Sequence, residues 1–125
     1  MGETIPSRTA EIITSMREKR TIGSLCRGRT LIGVSGSFTA AHRCAEPELH
    51  VHRWDVLAWF EPPGRVDARC YQASLDILLA GWEGKPLPVE VEWQEDLARA
   101  IGTLINCVEV QVSRPDERIY ARWQA

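Results

Sequence analysis

Histidine is scarce in this 125-residue chain, which has three. Cysteine is scarce as well: Cys26, Cys44, Cys70 and Cys107 are widely spaced and form no C-x-x-C pair. That excludes the usual thiolate zinc sites and dithiol redox motifs, and the expectation for Cys70 and Cys107 is reduced, buried thiols. No apolar run approaches the roughly 18 to 20 residues of a membrane span. The first twenty residues, MGETIPSRTAEIITSMREKR, lack the apolar stretch of a secretory signal, so a cytoplasmic protein without a membrane partner is expected. Neither sign of charge dominates, since the formal net charge is -2. The one basic group, Arg17, Lys19, Arg20, Arg27 and Arg29, is interrupted by Glu18 and reads as a solvated helix face, so no nucleic-acid partner is expected. With 44% hydrophobic and 26% charged residues the composition is that of a folded domain, and the length suits a single core.

The chain reads as α+β. Ser7 can cap a helix over residues 7 to 20, with Ile12, Ile13 and Met16 at helical spacing, so residues 1–28 form an N-terminal helical extension and 29–125 the main domain. From Arg29 to His42 β-branched and small residues predict a strand whose glycines suit a bulge or close packing. Leu49 to Glu61 predicts a second strand, stopped by Pro62-Pro63-Gly64, and residues 43–48 connect the two as a hairpin. Asp67 can cap a helix reaching about Trp82, with Tyr71, Leu75, Leu78 and Leu79 on one face. A second helix over about 92–105 places Trp93, Leu97, Ile101, Leu104 and Ile105 at helical intervals, with Trp82 and Trp93 expected to pack on the helices. CVEVQVS and RIYARW then alternate around Arg114-Pro115-Asp116-Glu117 as a closing hairpin. The order after the first helix is β-β-α-α-β-β, which lets two helices cover one face of an antiparallel sheet.

All three histidines fall in one window, FTAAHRCAEPELHVHRW. On a strand His50 and His52 share a face while Val51 turns away. Pairing of the predicted hairpin brings His42 beside them, above Phe38 and Ala40. Three neutral imidazoles with a position left open are the donor set of a catalytic metal, and zinc leads among imidazole-binding ions. The competing interpretation is three unrelated strand histidines, paired with carboxylates or exposed.

Phe38-Thr39-Ala40-Ala41-His42-Arg43 followed by Leu49-His50-Val51-His52 resembles the F-x-A-A-H-R and L-H-G-H motifs of the 6-pyruvoyl tetrahydropterin synthase and 6-carboxytetrahydropterin synthase family. The likeness continues through Gly64 to Asp67, the helix containing Glu95, and VEVQVSRPDERIYARW, over about residues 29–125. It implies the T-fold, a β-β-α-α-β-β unit that assembles through its sheets into β-barrel homo-oligomers, tetrameric or hexameric, with sites near subunit interfaces. It also implies that His42, His50 and His52 are the zinc ligands. Other family positions differ. The catalytic cysteine falls on Glu46, with Cys44 two residues early. The family's L-D-H segment falls on Trp82-Glu83-Gly84, or alternatively on Leu75-Asp76-Ile77, without its histidine. The glutamate that anchors the pterin ring falls on Val112, which can accept no hydrogen bond through its side chain.

A retained zinc platform with an altered proton relay and ring anchor implies a divergent member: a zinc-dependent lyase, cyclase or isomerase acting on a different small molecule in a biosynthetic pathway. Zinc would act as a Lewis acid, with Glu83, Glu46 and Cys44 as candidates for proton transfer. Two alternatives stay open: the parent reaction on dihydroneopterin triphosphate, and a non-catalytic T-fold binding or scaffold protein.

Overall fold

A computed structural model of the chain describes residues 28–43 and 48–125. The helix expected over 7–20, Cys26, Cys44 and Glu46 lie outside the described residues.

Strands β1 (Ile32–His42) and β2 (His50–Phe60) form a long antiparallel hairpin. Its register runs unbroken from Ile32 opposite Phe60 to His42 opposite His50, so no bulge interrupts it. The glycines serve close packing instead, because a Cβ on Gly33 would sit 2.8 Å from the Trp59 ring of the opposing residue. Even-numbered positions of both strands face inward, where Val34, Phe38, Ala40, Trp54, Val56, Ala58 and Phe60 are buried. The period of two is the signature of a sheet covered on one face.

Helix α1 (Arg69–Ala80) follows the Pro-Pro-Gly break and lies over β1, burying Leu75 and Leu79. Asp67 serves its start from one residue outside the cap position, its Oδ1 accepting the Arg69 backbone N–H at 3.0 Å. After a 3₁₀ turn at Val89–Val91, helix α2 (Gln94–Ile105) lies over strands β3 (Glu109–Arg114) and β4 (Ile119–Gln124). It buries Leu97, Ala98 and Ile101, and it ends at Asn106, whose φ of 57° is a left-handed cap that asparagine tolerates. The second helix thus begins later than its hydrophobic pattern suggested. Trp93 precedes it and is 47% exposed rather than packed, and Leu104 points to solvent. Trp82 lies just past α1 and packs its ring 5.7 Å from that of Phe38.

Among the described residues the four strands are ordered β1-β2-β3-β4, all antiparallel, with both α-helices on one face. The fold is therefore α+β as the sequence indicated. The outer edge of β1 is covered at its His42 end by the segment after α1, where Gly84 and Leu87 donate backbone N–H groups to Thr39 and Ala41. Such covering blunts an edge that would otherwise pair with another chain. Cys107 is buried as expected, and burial raises its thiol pKa. Cys70 is exposed, because it occupies the outward side of the first turn of α1.

Candidate metal centre

Strand geometry assembles the centre at one end of the sheet. His42 is the last residue of β1 and His50 the first of β2, directly opposite it, and His52 faces Ala40 one pleat further in. The parity that buries Phe38 and Ala40 carries on to His42, whereas Val51 projects outward at 65% exposure. The rings of His42 and His50 lie 4.5 Å apart, those of His42 and His52 4.9 Å, and those of His50 and His52 5.0 Å. One ligand nitrogen from each falls within 4.8 Å of the others. Nitrogens sharing a tetrahedral zinc at ordinary bond lengths sit about 3.4 Å apart, so small ring rotations would close the cluster on an ion.

Neighbouring groups orient two of the three rings. His42 Nδ1 lies 2.9 Å from the Glu92 backbone carbonyl, and a carbonyl can only accept, so Nδ1 carries the proton and Nε2 keeps its lone pair. Glu92 also accepts the Arg43 N–H through its carboxylate at 3.1 Å, tying the end of β1 to the segment before α2. His50 Nδ1 lies 3.4 Å from the Glu48 carbonyl, a longer version of the same arrangement. This use of backbone carbonyls is how ligating imidazoles are held. Burial lowers the pKa of His42, and His50, His52 and Arg114 add to that effect against the pull of the Glu92 carbonyl. The neutral, ligand-competent form is favoured.

His52 is the clearest sign that the cluster is built for something more. It is 7% exposed, and both its ring nitrogens are buried without a hydrogen-bond partner among the described residues. Asp116 Oδ2 and Glu117 Oε1 stand 3.5 and 3.9 Å away, too far or too poorly aligned to satisfy it. A buried imidazole left so is costly unless an ion or ligand takes a nitrogen. Trp54 floors the centre, its indole edge-on to His42 at 5.0 Å and its Nε1–H donated to the Ala40 carbonyl at 3.1 Å. The donor set of three imidazoles fits zinc or another imidazole-binding divalent ion.

The residues singled out for proton transfer are placed differently. Glu83 sits at the outer edge of β1, where its Oε1 accepts the Thr39 backbone N–H at 3.0 Å, and it is not part of the three-imidazole cluster. The Trp82-Glu83-Gly84 segment forms the turn after α1, while Leu75-Asp76-Ile77 lies within the unbroken helix. Val112 is fully buried in the core, its carbonyl accepting Gln94 Nε2 at 2.6 Å.

The sequence reading missed the polar groups that border the imidazoles from the far side of the sheet. Arg114 shares the inward parity of Val110 and Val112, and its Nη1 reaches within 3.4 Å of His42 Nε2 and 3.2 Å of Glu117 Oε1. Its guanidinium carbon lies 5.8 Å from the Trp54 ring centre, a cation–π contact. The alternation of β3 held the signal for Arg114. Nothing local marked Glu92, Asp116 or Glu117. Beside His42 opens a cleft of about 230 Å³ bordered by Trp93, Gln94, Glu95, Arg114 and Tyr120. Compared with known proteins, the chain matches no family model and no curated protein.

Proposed function

We propose that the protein is a zinc-dependent enzyme of the lyase, cyclase or isomerase type, related to the pterin synthase family by its histidine motifs and acting on a small molecule other than the family's pterin. The observation that carries this reading is the cluster itself: three imidazole nitrogens within 4.8 Å, with both nitrogens of the buried His52 unpartnered. His42, His50 and His52 would hold the ion. When bound, zinc supplies Lewis-acid polarisation of a substrate carbonyl or hydroxyl oxygen.

The rest falls to the chain's own side chains. Glu92 holds His42 in the tautomer that exposes Nε2, and Trp54 keeps water from beneath the rings. Asp116 and Glu117 present carboxylates on the β3–β4 turn beside His52, within reach of a substrate proton after a modest side-chain movement, and they join Glu83, Glu46 and Cys44 as candidates for proton transfer. Divergence from pterin is supported by Val112, whose side chain is enclosed in the core and offers no anchor for a donor-rich ring edge. The order of elements is compatible with the T-fold, which we propose for the chain. Assembly into a homo-oligomer would use the outer edge of β4 and the stretch of β1 before Thr39 that residues 83–87 leave uncovered.

Metal analysis of the purified full chain tests the reading. It should carry one zinc per chain, and His50→Ala and His52→Ala should each release most of it. Stoichiometric zinc in both variants would overturn the site. Robust turnover of dihydroneopterin triphosphate would overturn the divergent substrate and restore the parent reaction.

A further inference from the structure

Arg114 sits where a metal centre would not ordinarily place a cation. Its Nη1 approaches the same His42 Nε2 lone pair that an ion would take, at 3.4 Å. The side chain is 16% exposed, and its Nε is buried with no hydrogen-bond partner among the described residues. A guanidinium has five N–H donors. Among the described residues the one carboxylate it meets is that of Glu117, whose side chain is 43% exposed and free to move aside. With a dication on the imidazoles, the guanidinium loses its contact with His42 and faces a like charge. An anion lying between the two would remove both defects, offering its oxygens to the arginine fork and its negative charge to the dication.

We propose, resting on the metal-centre reading above, that the substrate is a small carboxylate whose anionic group lies between the metal and Arg114, with the remainder in the cleft beside His42. Carboxylate rather than phosphate is the match because Glu95 and Glu117 already border the site, and a dianion would meet both. At about 230 Å³ the cleft is smaller than the roughly 300 to 1,000 Å³ typical of drug-sized ligands, so the molecule is small. Trp93 and Tyr120, residues 47% and 63% exposed, line it with aromatic side chains, which suits a flat or apolar body. Gln94 also lines it, only 6% exposed, and its Oε1, buried and unpartnered among the described residues, would accept a hydrogen bond from an N–H or O–H on the body of the ligand but not from its carboxylate.

Calorimetric titration of the zinc-loaded full chain with benzoate, benzamide and phenyl phosphate tests this, with zinc content measured on the same samples. Benzoate should bind, the neutral amide should bind at least about tenfold more weakly, and phenyl phosphate should not exceed benzoate. Arg114→Gln should keep its zinc and its thermal unfolding transition while losing about 10- to 100-fold in benzoate affinity, as expected for charged hydrogen bonds, and Arg114→Lys should recover part of it. Zinc absent from the wild type sinks the metal centre itself. Zinc present, but with benzoate not binding or binding equally to Arg114→Gln, sinks the carboxylate assignment alone, as does equal binding of benzamide or preference for phenyl phosphate.

Discussion

Replacing His52 by leucine should reverse the stability order of two proteins when zinc is added. In the metal-free protein His52 keeps two buried ring nitrogens without partners, and an unsatisfied buried polar group costs about 1 to 3 kcal/mol. Leucine removes that penalty and keeps most of the volume against His42, His50 and Trp54, at a repacking cost below about 1.5 kcal/mol. In chelator His52→Leu should therefore fall between about 0.5 kcal/mol less stable and about 3 kcal/mol more stable than the wild type. Zinc acts in the other direction. At a free concentration about a thousand times its dissociation constant, a ligand that binds only the folded state adds about 4 kcal/mol. The wild type receives this, and a variant with two imidazoles receives little of it. Urea unfolding with and without zinc reads the difference directly: at a slope of about 2 kcal/mol per molar, the wild-type midpoint should rise by about 2 M and that of the variant by much less. Two results refute the reasoning. Equal zinc shifts in both proteins place the ion elsewhere, and an equal loss of stability in the variant under both conditions makes His52 a packing residue.

Other outcomes follow from the same geometry. For the metal-free protein, the lowered pKa of His42 gives a sign to the pH dependence. Above the ordinary histidine value of about 6.5 both folded and unfolded His42 are neutral, and below it the unfolded chain takes up a proton that the folded one resists, so stability falls as the pH drops toward the folded value. Urea midpoints between about pH 8 and pH 5.5 should show this fall, and a slope of the same size in His42→Gln assigns it to other groups. Gly102→Ala would set a Cβ 2.1 Å from the Trp123 ring, where ordinary contacts are near 3.5 Å or more. It should destabilise by about 1 to 3 kcal/mol despite alanine's better helix propensity, and Trp123→Leu in the same chain should recover much of the loss; additive effects of the two changes would be inconsistent with the clash. Thiol alkylation of the folded protein, read by peptide mapping, should modify the exposed Cys70 quickly and the buried Cys107 only on unfolding. Similar rates at the two cysteines would contradict their placement.

Much of the fold was legible because it rests on local periodicity. The inward parity of β1 and β2 is a period of two in the sequence, and Pro62-Pro63-Gly64 breaks the second strand wherever the rest of the chain goes. The same parity set His50 and His52 on one face and Val51 on the other. Less legible were features that depend on which segment returns to cover another. Trp93 and Leu104 fit a helical stripe, yet α2 begins at Gln94 and turns both outward. Cys70 has the composition of a core residue, but its exposure follows from the side of α1 that faces β1.

The sequence by itself determined the order of the described elements, the shared face of His50 and His52 and the donor chemistry available there, because strand pleat and residue type are local properties; His42 joined them through the register of the β1–β2 hairpin. Only the tertiary structure decided what surrounds that donor set. Glu92 fixes the tautomer of His42 from 50 residues away, and Arg114, 72 residues from His42, brings a positive charge to the same nitrogen. Those contacts depend on β3 pairing with β2 in one register and on α2 lying across β3 and β4. A pairing shifted by one residue would reverse the face of every β3 side chain, so Arg114 would leave the imidazoles while the sequence of each strand stayed the same.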